Sequence, residues 1–222
     1  YHVTMSEVSI QDVAIIATLG KVHRLTLSYC TINCDISALG TVHTLTIQYC
    51  NGFTDINVHQ IRTVHTLNLW GCLEITDVSA LKNVHNLDIF FCPIITDVSA
   101  LKNVHDLGIS NCDMLTDVSA LGTVHTLALT SCNNITDVSA LGTVYNLILY
   151  TCKGITDVSA LGTVNTLLLC QCHGITDVSA LGTVHQLILD TCNCIITGEA
   201  ALGTVHILDI SDCDHLNDIC TE

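Results

Sequence analysis

Apolar and polar positions recur along this chain with a period of twenty residues. The stretch starting at Cys132 reads CNNITDVSALGTVYNLILYT, and the stretch starting at Cys152 reads CKGITDVSALGTVNTLLLCQ. One turn can be written V-H-x-L-x-L-x-x-C-x-x-I-T-D-V-S-A-L-G-T. Ten turns begin, at Val22, Val42, Val64, Val84, Val104, Val124, Val144, Val164, Val184 and Val205. The second carries two extra residues within INVHQIR (56–62), and the ninth carries one extra near 195–198. Repetition at this period is the signature of a solenoid.

Within a turn, x-L-x-L alternates apolar and polar, the pattern of a half-buried strand. Leu127 and Leu129 are expected to face inward, and Thr126, Ala128 and Thr130 outward. The segment I-T-D-V-S-A-L then reverses the chain. Ile135, Val138 and Leu141 close the core from the back. The Asp137 carboxylate is placed to accept the N–H of Ser139 or Ala140 and start a tight helical turn. Gly142 is expected to relieve the bend into the next strand. Twenty residues hold one strand and at most a short 3-10 or α turn. The predicted fold is therefore an α/β or mainly β solenoid: a right-handed coil of about ten parallel strands in one sheet, ~45 Å long.

Composition fits a packed coil. Of 222 residues, 49% are hydrophobic and 12% charged, which excludes a disordered chain. Six Lys and Arg against 21 Asp and Glu leave a net charge of −15, the wrong sign for phosphate-backbone binding, so no nucleic-acid partner is expected. No apolar run approaches the ~18 residues of a membrane span, and no membrane role is expected. No charged segment leads into an apolar one at the start. The chain begins with Tyr1 rather than Met, a start compatible with a removed leader.

Ten of the 14 cysteines share one slot, from Cys30 and Cys50 through Cys192 and Cys213. A slot filled once per turn is a packing position for a small buried side chain. Neighbouring turns ~4.8 Å apart would permit disulfides sterically. Free thiols are the expectation, in the cytoplasm or another reducing compartment.

The repeat resembles the leucine-rich repeat family. The L-x-x-L-x-L-x-x-[N/C] core is present with Val at the first apolar slot. ITDVSALG is similar to the back of short internalin-like or protein-phosphatase-regulator repeats, and C-x-x-I-T-D is similar to the cysteine-containing repeats of F-box proteins. The near-identical wording of the turns, VHTL above all, also resembles arrays from large DNA viruses or protists. The resemblance spans about residues 22–219 and implies a leucine-rich-repeat solenoid. No F-box phrase precedes the array and no immunoglobulin-like cap follows it, so those partners' functions do not carry over.

Three parts are expected: an N-terminal cap over 1–21, the array over 22–213, and an incomplete turn over 214–222. In the cap, residues 9–20 echo TDVSALG and offer Val13, Ile15, Ile16 and Leu19 as apolar cover. After Cys213 little remains to seal the core, which opens a route to a homo-oligomer through that end.

Two columns invite chemistry. His23, His43, His65, His85, His105, His125, His185 and His206 share one slot, interrupted by Tyr145 and Asn165. Stacked imidazoles can bind metal or charge together in mild acid. The expectation is a structural ladder, each ring stacked on the next and bonded to a carbonyl, with no dedicated metal. Asp35, Asp55, Asp77, Asp97, Asp117, Asp137, Asp157 and Asp177 form the second column, expected to cap the turns that follow. Cys34, Cys170, Cys194 and Cys220 lie off the ladder. Cys170 is expected to point outward while Cys172 turns inward, which makes the Cys170-x-Cys172-His173 phrase and Cys192-x-Cys194 a coincidence rather than a metal cluster. No G-x-S-x-G, Walker or HExxH phrase occurs, so no catalytic residues, no enzyme and no cofactor are expected. Threonine after glycine repeats well, but the strand-face residues vary too much for an ice-binding plane.

That variation points to function. Trp70, Phe90 and Phe91 form an aromatic cluster beside Asp88 and Asp106. Ile148, Leu168 and Ile188 form an apolar stripe beside Tyr150. Exposed apolar residues ringed by carboxylates describe a docking surface. The reading is a non-enzymatic interaction scaffold whose partner is a protein with basic and apolar surface. The alternative is a structural component of a virion or filament that stacks through the solenoid end.

Overall fold

The typical described repeat folds as one five-residue strand, a left-handed corner and a short 3-10 turn. A computed structural model describes residues 1–190 and 197–210. The chain comprises two units, Tyr1–Met114 and Leu115–Glu222. The first contains β1 (His2–Ser6), β2 (Ser9–Ile10), α1 (Val13–Leu19), β3 (Arg24–Ser28), β4 (Thr31–Ile32), β5 (Thr44–Gln48), α2 (Asp55–Gln60), β6 (Thr66–Trp70), β7 (Asn86–Phe90) and β8 (Asp106–Ser110). The second contains β9 (Thr126–Thr130), β10 (Asn146–Tyr150), β11 (Thr166–Cys170), β12 (Gln186–Asp190) and β13 (Ile207–Asp209).

Pairing is parallel and stays in repeat register. In the first unit Val3, Leu25, Leu45, Leu67, Leu87 and Leu107 stand in one row across β1, β3, β5, β6, β7 and β8. In the second, Leu127, Leu147, Leu167, Leu187 and Leu208 do the same across β9 to β13. The row leucines of β3 to β12 are almost completely buried. Each removes about 1.5–3 kcal/mol worth of apolar surface from water. Ile135, Val138 and Leu141 meet that row from the back, as their spacing predicts. This is the solenoid the period requires: alternation sets which side chains enter the core, and the repeat length leaves room for one strand per turn.

The corner before each described column cysteine is left-handed. Tyr29, Tyr49, Gly71, Phe91, Asn111, Ser131, Thr151 and Gln171 have φ between 49° and 61°. The strain is offset by a bond to the next turn: Tyr49 N–H donates to Trp70 O at 2.7 Å and Ser131 N–H to Tyr150 O at 2.8 Å. The chain turned this way carries the cysteine inward. The described cysteines are free thiols. Cys50 Sγ donates to Leu27 O at 3.4 Å and Cys152 Sγ to Leu129 O at 3.3 Å, both carbonyls of the preceding turn. Burial pushes the Cys50 thiol up to about 11 and the Cys152 thiol up to about 12.

On the back, aspartate capping takes the form expected. Asp137 Oδ1 accepts the Ser139 N–H at 2.8 Å, and Asp35, Asp77, Asp97, Asp117, Asp157 and Asp177 repeat the contact. Asp55 departs from it. The two extra residues of the second turn widen the 3-10 turn into α2, and Asp55 reaches forward to accept Thr76 N–H at 2.8 Å and Asp77 N–H at 3.0 Å. Threonine hydroxyls tie consecutive turns: Thr143 Oγ1 donates to Gly122 O at 2.7 Å, Thr163 to Gly142 O at 2.6 Å and Thr183 to Gly162 O at 2.6 Å.

Several expectations need correction. Gly142 has no left-handed φ and relieves no bend. A Cβ there would lie 2.3 Å from Ala160 O, so glycine admits the next turn. Residues 1–21 are more than a lid, because β1 pairs with β3 and forms a further strand of the coil. Within that segment Ile16 and Leu19 are buried, but Val13 and Ile15 are 53% and 45% exposed on the outer side of α1. The ninth-turn cysteines Cys192 and Cys194, together with Cys213, Cys220 and the terminal turn expected over 214–222, lie outside the described residues, as does the assembly end.

Candidate functional site

The side chains free to differ are those that alternate with the leucines, plus the left-handed corner residues. β6 and β7 place Trp70 beside Phe90 in register, ring centroids 5.2 Å apart and tilted by 40°. Trp70 is 40% exposed and Phe91 43%, whereas Phe90 is half-buried beneath its neighbours. The predicted cluster therefore exists as a surface feature. Asp88 is exposed and pairs in register with Gly108 on β8. Its carboxyl leans over that residue, where a Cβ would lie 2.3 Å from Asp88 Oδ1. Loss of hydration there and the nearby Asp106 charge push the Asp88 carboxyl above the ordinary range.

The aromatic band extends further than the strand-slot pattern indicates. Tyr29 and Tyr49, both corner residues, stack with centroids 5.4 Å apart and planes within 12°. A Cβ on residue 71 would lie 2.2 Å from the Tyr49 ring, so Gly71 makes room for it. Tyr29 is 56% exposed. The signal for these residues is their position immediately before the column cysteine, a slot that period-two alternation treats as turn.

In the second unit Ile148, Leu168 and Ile188 stand in register across β10, β11 and β12, as the spacing implies. They are half-buried rather than open, because each is flanked at strand distance by the next. Tyr150 is exposed at the end of β10. Beside it, Cys170 departs from expectation. It occupies the outward strand slot but is only 2% exposed, and its Sγ donates to Asp190 Oδ2 at 3.0 Å.

The histidine column is an exposed stack. His23, His43, His65, His85 and His105 have successive ring centroids 4.6–4.8 Å apart. His125 stacks on Tyr145 at 4.9 Å and His185 on His206 at 4.7 Å. Side-chain hydroxyls, where main-chain carbonyls were expected, face several of the rings. Nδ1 of His43, His65 and His125 meets the hydroxyl of the threonine that follows each.

On the back of the second unit, shallow hollows repeat with the chain, walled by the same Asp and Ser slots, as with Asp137, Ser139, Asp157 and Ser159, whereas a hollow of the first unit is lined by Ile32, Cys34, Asn57 and Gln60. Among the described residues, no helix is long and apolar enough to cross a membrane.

A parallel strand per turn, a leucine row, a column cysteine and a 3-10 back together define a leucine-rich-repeat solenoid. Solved structures with this fold include the internalin InlF from Listeria monocytogenes, at 20% identity and a TM-score of 0.58, covering 94% of this chain and 75% of that one. Internalin C2 from the same organism shows 21% identity and a TM-score of 0.53, covering 78% and 82%. The leucine-rich repeat domain of the type III effector XopL shows 16% identity and a TM-score of 0.59, covering 97% and 78%. At these identities the likeness is one of fold. No family model and no curated protein matches the sequence.

Proposed function

We propose that this chain is a non-enzymatic docking scaffold that binds a protein with basic and apolar surface through its variable strand face. The observation that carries the reading is the aromatic band of the first unit. Tyr29, Tyr49, Trp70, Phe90 and Phe91 occupy slots where the core imposes no residue type. Large aromatic surface left in water is what binding hot spots are made of. Asp88, Asp106 and a net charge of −15 favour a cationic partner and speed its encounter. The apolar stripe of the second unit, Ile148, Leu168 and Ile188 with Tyr150, is a further contact surface of the same kind. Free buried thiols fit service in a reducing compartment.

Trp70 is the sole tryptophan, which makes it the natural probe. Binders selected from a displayed library against the whole chain should shift Trp70 emission to the blue and protect it from acrylamide. Trp70→Asp and Phe90→Asp should each weaken them by at least ~30-fold, the cost of removing a hot-spot anchor. Thr156→Asp, on the back, should leave them unchanged. Binders that ignore the strand-face substitutions and respond to the back would refute the assignment.

A further inference from the structure

The residue that follows each column histidine differs along the stack. Where the following residue is threonine, Nδ1 faces a hydroxyl that can donate or accept. At His85 the partner is the Asn86 side-chain oxygen, and at His105 it is Asp106 Oδ1 at 3.0 Å. Asn86 and Asp106 are themselves register partners on β7 and β8. One ligand atom from each of His85, His105 and Asp106 lies within 4.8 Å of the others. Two ring nitrogens and a carboxylate thus converge on one exposed spot, with the Asn86 oxygen against His85 Nδ1.

We propose that His85, His105 and Asp106 form a site for a divalent transition-metal ion, with the Asn86 oxygen as a fourth donor. Imidazole and carboxylate donors without thiolate select ions such as cobalt and zinc over calcium or magnesium. Metal–nitrogen bonds of ~2.0–2.1 Å in a tetrahedral site put ligand atoms ~3.4 Å apart. The His105–Asp106 contact is already near that value. The His85 and His105 rings, stacked at 4.7 Å, must draw together slightly, which exposed side chains can do by small rotations. Each imidazole binds as the neutral ring with its proton on Nε2.

Charge singles out this part of the column. Of the eight column histidines, only His105 is followed in the chain by a carboxylate, Asp106. Thr44 and Thr66 follow His43 and His65, and Gln186 and Ile207 follow His185 and His206. The interruptions at Tyr145 and Asn165, which argue against a metal-binding column, do not touch this pair.

The test is titration of the whole chain, kept reduced, with cobalt(II), followed by absorption spectroscopy and calorimetry. Zinc(II) competition then ranks the two ions. One cobalt should bind with d–d bands and no sulfur-to-metal charge-transfer band. Asp106→Asn and His105→Gln should each weaken binding by at least ~10-fold. His43→Gln, in the same column, should bind as wild type does. Circular dichroism of the metal-free variants checks the fold, and Asp106→Asn carries the test should His105→Gln unfold. The proposal falls if a thiolate band dominates, if Asp106→Asn binds normally, or if His43→Gln loses as much as His105→Gln.

Discussion

Replacing Thr163 by valine removes one hydroxyl that ties two turns together and keeps the side-chain shape. The hydroxyl donates to Gly142 O at 2.6 Å, across a gap so close that a Cβ on residue 142 would meet Ala160 O at 2.3 Å. A hydrogen bond of this kind contributes about 0.5–1.5 kcal/mol net, and a dry acceptor left without its partner raises the cost toward ~3 kcal/mol. Thr163 is solvent-exposed, so water can replace part of what is lost. The expected cost of Thr163→Val is therefore about 1 kcal/mol. Thr163→Ser keeps the donor and should cost less than half as much. In the triple variant Thr143→Val, Thr163→Val, Thr183→Val, three consecutive ties vanish, and the sum of about 3 kcal/mol is a lower bound if neighbouring turns couple. The assay is urea unfolding followed by far-ultraviolet circular dichroism, with midpoints compared at equal slope. A valine variant that unfolds at the wild-type midpoint, or a serine variant that loses as much as the valine, would show that the threonine ladder does not hold the turns together.

Three further outcomes are expected. At pH 8 the folded chain should carry ~1000-fold less thiolate at Cys152 and ~100-fold less at Cys50 than at a free thiol of pKa 9.0, so Ellman's reagent should reach them only on unfolding; prompt labelling of Cys152 in the native chain would contradict the buried ladder. Asp97 and Asp137 are held below the usual carboxylate range by Ser99 and Ser139, through the serine side chain and its backbone N–H; Asp35, Asp157 and Asp177 are held down by the serine backbone N–H and side chain. Their folded pKa is lowered, so the stability they contribute is present above the unfolded value of ~3.9 and is lost as pH falls through the folded one. Acid unfolding should accordingly steepen below about pH 4, and Asp137→Asn should take up fewer protons on unfolding in that window, measured by potentiometric titration. Finally, Gly71→Ala should cost about 1–2 kcal/mol in chemical unfolding, through left-handed strain and displacement of the Tyr49 ring, and should weaken strand-face binders; a variant as stable as wild type with unaltered binding would remove Tyr49 from the surface.

Legibility divided along physical lines. Leu127 and Leu129 were assignable to the core because alternation at period two leaves a strand only two faces, and one must be dry. Asp137 was assignable to capping because the acceptor and the N–H it serves are two residues apart in the chain. The back of the coil was less transparent. The role of Gly142 depends on Ala160 O, which approaches from the next turn, and no local pattern announces that distance. Cys170 occupies an outward slot, yet Asp190 from the neighbouring strand takes up its thiol. Tyr29 and Tyr49 were missed as surface residues because their slot reads as turn until the positive φ is known.

What the sequence determined by itself was the repeat, its length and the side of each strand that enters the core. Those follow from covalent spacing and from the cost of leaving leucine in water. Tertiary structure decided which side chains of different turns meet: a hydroxyl against a glycine carbonyl, a tyrosine over a glycine, two imidazoles beside one carboxylate. Stacking residues twenty apart at strand distance turns identical slots into columns, and one unlike residue in a column, such as Asp106, acquires chemistry only from the neighbours that stacking supplies.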